Sequence, residues 1–174
     1  MRGVSNAVKA TFKGGHRSIR RSESEDFRTW SNPKTVVESD EFDPTGFHFY
    51  TNAAVKYSRA ANIFLMFPMT FYSERQYPKA PHVGLADIQF MFSRDGISWD
   101  RRFREAFIRP GRDERDWADC NPIMGAGILQ TAPDEMLLYF SELLRAGLNQ
   151  TRIRRCTICT DGFVSVNAPY VGWG

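Results

Sequence analysis

The stretch Ser93-Arg94-Asp95-Gly96-Ile97-Ser98-Trp99 decides how this chain is read, because its pattern has already occurred once, as Ser24-Glu25-Asp26-Phe27-Arg28-Thr29-Trp30. Ser, Asp and Trp keep their offsets, and the two aspartates lie 69 residues apart. A weaker third copy, Cys159-Thr160-Asp161-Gly162-Phe163, follows 66 residues later. Near-constant spacing marks an internal repeat, and a period above forty residues points to propeller blades or a related array.

Each copy reads as a hairpin. Ile88 to Phe92 is rich in β-branched and aromatic residues, Arg94-Asp95-Gly96 supplies a turn in which Asp or Gly tolerates positive φ, and Ile97-Ser98-Trp99 begins the return. Residues 88–99 and 154–165 are thus expected to be antiparallel hairpins with equivalent turns, and Ser18 to Ser24 with Thr29 to Val37 gives an earlier version. Two further pairings precede the second and third copies. Tyr50 to Tyr57 pairs with Asn62 to Tyr72 across Ser58-Arg59-Ala60-Ala61, and Ile123 to Gln130 pairs with Met136 to Ser141 across Ala132-Pro133-Asp134-Glu135. No long helical pattern is present. Phe103 to Ile108 and Glu142 to Leu148 each allow one helical turn at most, the first reading equally as a fourth strand.

The expected fold is therefore all-β: a partial β-propeller of about two and a half blades, each a four-stranded antiparallel sheet. The tail of one blade runs to about residue 38, a full blade covers about 43–109, and most of another covers about 117–166. A β-sandwich is the alternative, but it gives no reason for the hairpin motif to recur. A closed propeller needs at least about four blades, so the chain, ending at Tyr170-Val171-Gly172-Trp173-Gly174, is expected to be a fragment whose partners include the missing blades.

Composition narrows the classes. The chain has 174 residues, 42% hydrophobic and 14% aromatic, which suits one packed core and argues against disorder or coiled coil. Its longest apolar run, Ala60 to Phe67, is broken by Asn62 and falls far short of the roughly 20 residues of a membrane span. A net charge of +3 from 23 basic and 20 acidic residues argues against a nucleic-acid partner, and the basic run from His16 to Arg21 is cancelled by Glu23, Glu25 and Asp26. Cys120, Cys156 and Cys159 give no even disulfide framework and too few ligands for zinc, so no metal or cofactor is expected. Residues Met1 to Lys13 lack the apolar core of a signal peptide, which makes the cytoplasm the default compartment.

Four segments in order carry a resemblance: the Ser-x-Asp-Gly-x-x-Trp turn, Tyr50-Thr51-Asn52-Ala53-Ala54-Val55, Pro133-Asp134-Glu135-Met136-Leu137-Leu138-Tyr139, and Thr160-Asp161-Gly162-Phe163-Val164-Ser165. From about Arg17 to Gly174 the chain resembles bacterial proteins of the five-bladed propeller superfamily of glycoside hydrolases, related to families 32 and 43. The resemblance implies a carbohydrate substrate, with catalytic Asp and Glu residues lining the central funnel. A non-catalytic carbohydrate-binding or scaffolding propeller is the alternative, since fold does not fix function.

Glycosidic hydrolysis needs a proton donor and a second carboxylate flanking the bond. Asp43, ahead of the strand at Tyr50, and Asp119, ahead of the strand at Ile123, are placed where innermost strands begin, and Glu142 follows the strand Met136 to Ser141. These three are the catalytic candidates, against plainer roles as turn or solvated carboxylates. His48, Asn52, Asp87, Trp117 and Asn121 are the substrate-binding candidates, by stacking or by hydrogen bonds to hydroxyls. Asp87 is unusual because strands are poor in charge. Asp43 or His48 is expected to open onto one cleft with Asp119 or Asn121. The repeated Asp26, Asp95 and Asp161 read as structural fasteners, with Trp30 and Trp99 as core.

Overall fold

In the computed structural model, residues 16–76, 83–110, 121–142 and 151–165 are described, together with the backbone of 3–5. These residues are all-β, in small antiparallel sheets, with no helix among them and no sheet that closes on itself.

The middle of the chain folds as a meander. Its first strand is β4 (Phe47–Phe49) and β5 (Val55–Lys56), its second β6 (Phe64–Met66) and β7 (Met69–Tyr72), and its third β8 (Leu85–Gln89) and β9 (Met91–Ser93). The edge is β10 (Ala106–Ile108), preceded by an isolated bridge from Phe92 to Asp100. Formally these belong to two sheets, β10-β8-β7-β4 and β5-β6-β9. The register nevertheless runs unbroken from Phe64↔Ser93 through Met66↔Met91 to Met69↔Ile88 and Tyr72↔Leu85. Pro68 lies at the interruption; it has no N–H to give the ladder, and its carbonyl still accepts from the Gln89 N–H at 3.1 Å. The first strand holds its place across its own gap, with Tyr50 N–H on Met69 O at 2.8 Å and Phe67 N–H on Asn52 O at 3.1 Å.

Both faces of this sheet are covered along its inner part, so Ile88, Gln89, Phe90 and Met91 are all buried. One face sets Phe47, Phe49, Met66, Tyr72 and Met91 against Ile19 and Val37 of the preceding sheet, β1 (Gly3–Ser5), β2 (Ile19–Ser24) and β3 (Lys34–Val37), paired β1-β2-β3. The opposite face sets Leu65, Phe67, Ile88 and Phe90 against Met124, Met136 and Leu138. Those three belong to the last sheet: β11 (Ile123–Met124), β12 (Leu129–Ala132), β13 (Glu135–Glu142) and β14 (Arg152–Cys159). There β13 is central, pairing with β11 and β12 along one edge and with β14 along the other. Full burial of a ring such as Phe67, 1% exposed, is worth about 2–3 kcal/mol of transfer free energy.

Of the expected pairings, Ser18 to Ser24 with Thr29 to Val37 is present as β2-β3 and Ile123 to Gln130 with Met136 to Ser141 as β11 and β12 with β13, whereas Tyr50 to Tyr57 with Asn62 to Tyr72 is present only as β5-β6, the partner of β7 being β4, which lies ahead of the expected start. Phe103 to Ile108 yields the strand β10. The first two turn motifs share the bonds that hold their aspartates. Asp26 Oδ1 accepts from the N–H groups of Arg28 and Thr29, both at 2.8 Å, and Asp95 Oδ1 from those of Ile97 (2.8 Å) and Ser98 (2.7 Å). Ser24 and Ser93 each donate to that same oxygen, and the closing bonds Ser31 N–H to Glu23 O and Asp100 N–H to Phe92 O match as well. Phe27 (φ 57°) and Gly96 (φ 70°) occupy the left-handed position that the turn requires.

The third copy departs from this expectation. Asp161 itself takes the left-handed conformation (φ 63°), one place earlier than Phe27 and Gly96 in the motif, and its carboxylate turns away to Tyr57 and Arg59. Cys159 stands where the other copies have Ser, so the hydroxyl that holds the turn aspartate is lost. Residues 163–165 form no strand, and β14 pairs with β13 instead of folding into a 154–165 hairpin. The two tryptophans also differ. Trp99 packs against the Phe47–Phe49 cluster, whereas Trp30, expected in the core, is 38% exposed and meets the exposed Phe27 edge-on at 5.9 Å.

Candidate functional site

A cavity of about 850 Å³ opens where the outer half of the middle sheet meets the loop 42–44, within the size range of small-molecule sites. Strand alternation places Tyr72, Asp87 and Gln89 on the face that lines it, and β10 with its flanks adds Arg104, Glu105 and Arg109. Arg75 closes one side, its guanidinium carbon 4.1 Å from the centre of the Tyr72 ring.

Asp87 is the unusual group. It is 7% exposed in the middle of a strand, opposite Thr70, whose hydroxyl donates to its Oδ1. Burial pushes the Asp87 carboxyl above the ordinary carboxylate range, and hydrogen bonds from Thr70 and Tyr72 with the charge of Arg75 offset only part of that. The carboxyl is thereby biased toward its protonated form, which can donate a hydrogen bond or a proton. Gln89 beside it anchors the edge strand by donating to the Arg104 carbonyl at 3.0 Å.

Asp43 lines the same cavity but is fully engaged. Arg101 Nη2 reaches both of its oxygens, at 2.8 and 2.9 Å, Arg104 Nη1 reaches Oδ1 at 3.1 Å, and the Asp40 N–H donates to Oδ2 at 2.9 Å. Asp40 completes the cluster, bonded to Arg101 and Arg104, and the Arg104 hydrogen bond holds its carboxyl below the ordinary range. Two aspartates and two arginines thus neutralise one another and tie the loop 40–43 to the segment after Asp100. Glu142, a catalytic candidate whose plainer reading is a solvated carboxylate, is 3% exposed and bonded to Arg152, its register partner on β14, and to Arg154.

The remaining described candidates do not line the cavity. The His48 ring accepts the Arg17 N–H at Nδ1 (3.2 Å) and lies 5.3 Å from His16; burial first, then the charges of His16 and Arg17, lower its pKa and keep it neutral at pH 7. Asn52 caps its own turn through the Ala54 N–H at 3.1 Å. Asn121 is half-buried ahead of β11. Asp119 and Trp117 lie outside the described residues. Of the expected site residues, the structure brings Asp43 and Asp87 to one cavity, whose lining includes neither His48, Asn52, Asn121 nor Glu142. Sequence reasoning missed Tyr72, Arg75 and Arg104. Only the alternation Leu85-Ala86-Asp87-Ile88-Gln89 pointed to that face, by placing Asp87 and Gln89 on the same side.

A separate cluster ties the middle and last sheets. The Tyr57 hydroxyl donates to Asp161, to which Arg59 Nε also donates at 3.1 Å. Burial and then the Asp161 carboxylate push the Tyr57 hydroxyl up to about 12.

Comparisons with protein-family models, with curated proteins and with solved structures each return no match.

Proposed function

We propose that the chain is part of a carbohydrate-active β-propeller of glycoside-hydrolase type, with the cavity over Asp87 as its saccharide site. Support for the propeller comes from the four-stranded meander packed on both faces by its sequence neighbours, and from two fasteners 69 residues apart that hold their aspartates by the same bonds. The single observation that carries the site is Asp87: a buried carboxyl, raised by desolvation, opening from mid-strand into a cavity also lined by Tyr72, Gln89 and Glu105. A protonated Asp87 donates its proton to the glycosidic oxygen as the C–O bond breaks, and Glu105, which lines the same cavity and has no ion pair among the described residues, is the second carboxylate, acting on the anomeric carbon or on the water that attacks it. Saccharide binding without turnover is the second reading, favoured by the arginine pairing that occupies Asp43 and Glu142.

Aryl glycosides and disaccharides test both. Under the first reading Asp87→Asn lowers turnover by about 100-fold or more while binding changes only a few-fold. Binding without turnover in the wild type selects the second reading. Failure of every saccharide tested to bind rejects both.

A further inference from the structure

Resting on the cavity being a saccharide site, we infer that its ligand is an acidic sugar, a hexuronate-type residue whose carboxylate is met by Arg75 and Arg109. Three guanidinium groups line the cavity, Arg75, Arg104 and Arg109. Arg104 is spent on Asp40 and Asp43, at 2.7 and 3.1 Å. Arg75 and Arg109 form no ion pair among the described residues. Asp43 is balanced by Arg101 and Arg104, and burial disfavours the charged form of Asp87, so among the described lining residues Glu105 is the carboxylate left to oppose two cations.

Arg75 is held ready for an anion. Its guanidinium lies over the Tyr72 ring at 4.1 Å, and its carbonyl accepts the Gly84 N–H at 2.9 Å, so stacking and backbone both restrict it before any ligand arrives. A planar guanidinium matches a carboxylate through two parallel hydrogen bonds. A monoanionic sugar places its one charge on the arginines and its hydroxyls on Asp87 and Gln89, which line the same cavity.

The test is ligand-observed NMR and calorimetry on the whole chain with digalacturonate, galactobiose and inorganic sulfate. The expected result is digalacturonate binding at least about tenfold tighter than galactobiose, weakened as salt rises from about 50 to 500 mM because the pairing is screened. Arg75→Gln and Arg109→Gln, both at exposed positions, each remove about tenfold of the digalacturonate affinity and less than about threefold of that for galactobiose; Arg75→Lys, keeping charge without the fork, falls between. Thermal melts confirm that the variants fold. Equal affinity for the two disaccharides, untouched by either substitution, overturns the inference while leaving the saccharide site standing. Sulfate competing as strongly as digalacturonate overturns it in favour of a simple anion site. If neither disaccharide binds, the inference falls together with the site on which it rests.

Discussion

Phe90 and Phe163 stack with ring centres 5.6 Å apart and planes 4° from parallel, and this contact joins the middle sheet to the segment after β14. Phe163 also meets Tyr57 edge-on at 5.5 Å and Phe67 at 6.2 Å, so one half-buried ring touches three aromatics of the middle sheet. Replacing either ring by leucine keeps apolar volume and removes the aromatic geometry, so each single substitution is expected to cost about 1 kcal/mol. An aromatic pair contributes about 0.5–1.5 kcal/mol beyond area burial. The double variant Phe90→Leu/Phe163→Leu is therefore expected to be less destabilised than the two singles added together, by about 1 kcal/mol. Urea unfolding followed by tryptophan fluorescence gives the four stabilities of the cycle. A coupling within about 0.3 kcal/mol of zero, the usual scatter for independent sites, means that residues 160–165 do not pack on the middle sheet, and the stacking of successive sheets would then lose its aromatic seam.

Three further outcomes follow from the charged groups. Asp43→Ala leaves Arg101 buried without its bidentate partner and is expected to cost about 3 kcal/mol, whereas Asp40→Ala, at a more exposed carboxylate, costs under about 1 kcal/mol; denaturant midpoints separate them. Backbone N–H groups, those of Ile97 and Ser98 for Asp95 and of Thr29 and Arg28 for Asp26, hold both turn carboxyls below the ordinary range. Lowered acids stabilise the fold above their unfolded pKa, and that stability is lost as pH falls through the folded value, so Asp95→Asn should flatten the acid limb of the stability–pH curve. Tyr57 is raised to about 12, so its contribution is present below about pH 10 and lost as pH rises through 12. Ultraviolet titration should show a tyrosine ionising near 12 that moves down in Asp161→Asn; no tyrosine above the free value of 10.0 contradicts the Tyr57–Asp161 contact.

Strand pairing was legible because it depends on local signals: turn residues, β-branched runs and the repeat. The first two fasteners were legible for the same reason, since Ser and Asp at fixed offsets carry the side-chain bonds common to both turns. Asp161 misled because the pattern survives there without its Ser; with Cys159 in that place the local bonds are lost, and a contact with Tyr57, 104 positions away in sequence, wins instead. Trp30 and Trp99 have the same motif position and different burial because burial is decided by what lies across the interface: the Phe47–Phe49 cluster packs against Trp99, and Trp30 has no such packing. Among the site residues, Asp87 stood out as a charge within a strand, but the arginines that occupy Asp43 and Glu142 lie 58 to 61 and 10 to 12 positions from their partners and belong to no motif. Position at a strand end, ahead of one for Asp43 and after one for Glu142, suggested free carboxylates; tertiary pairing consumed them.

Asp87 is the residue on which the proposed saccharide site depends. Carbonyl-carbon NMR of the chain with labelled aspartate follows that carboxyl through pH, alone and with a saturating disaccharide, Asp87→Asn assigning the signal. The expected midpoint lies above the free value of 3.8, and the disaccharide moves it further upward by replacing cavity water. A midpoint at or below 3.8, unmoved by any saccharide, contradicts the claim that the cavity over Asp87 is the saccharide site.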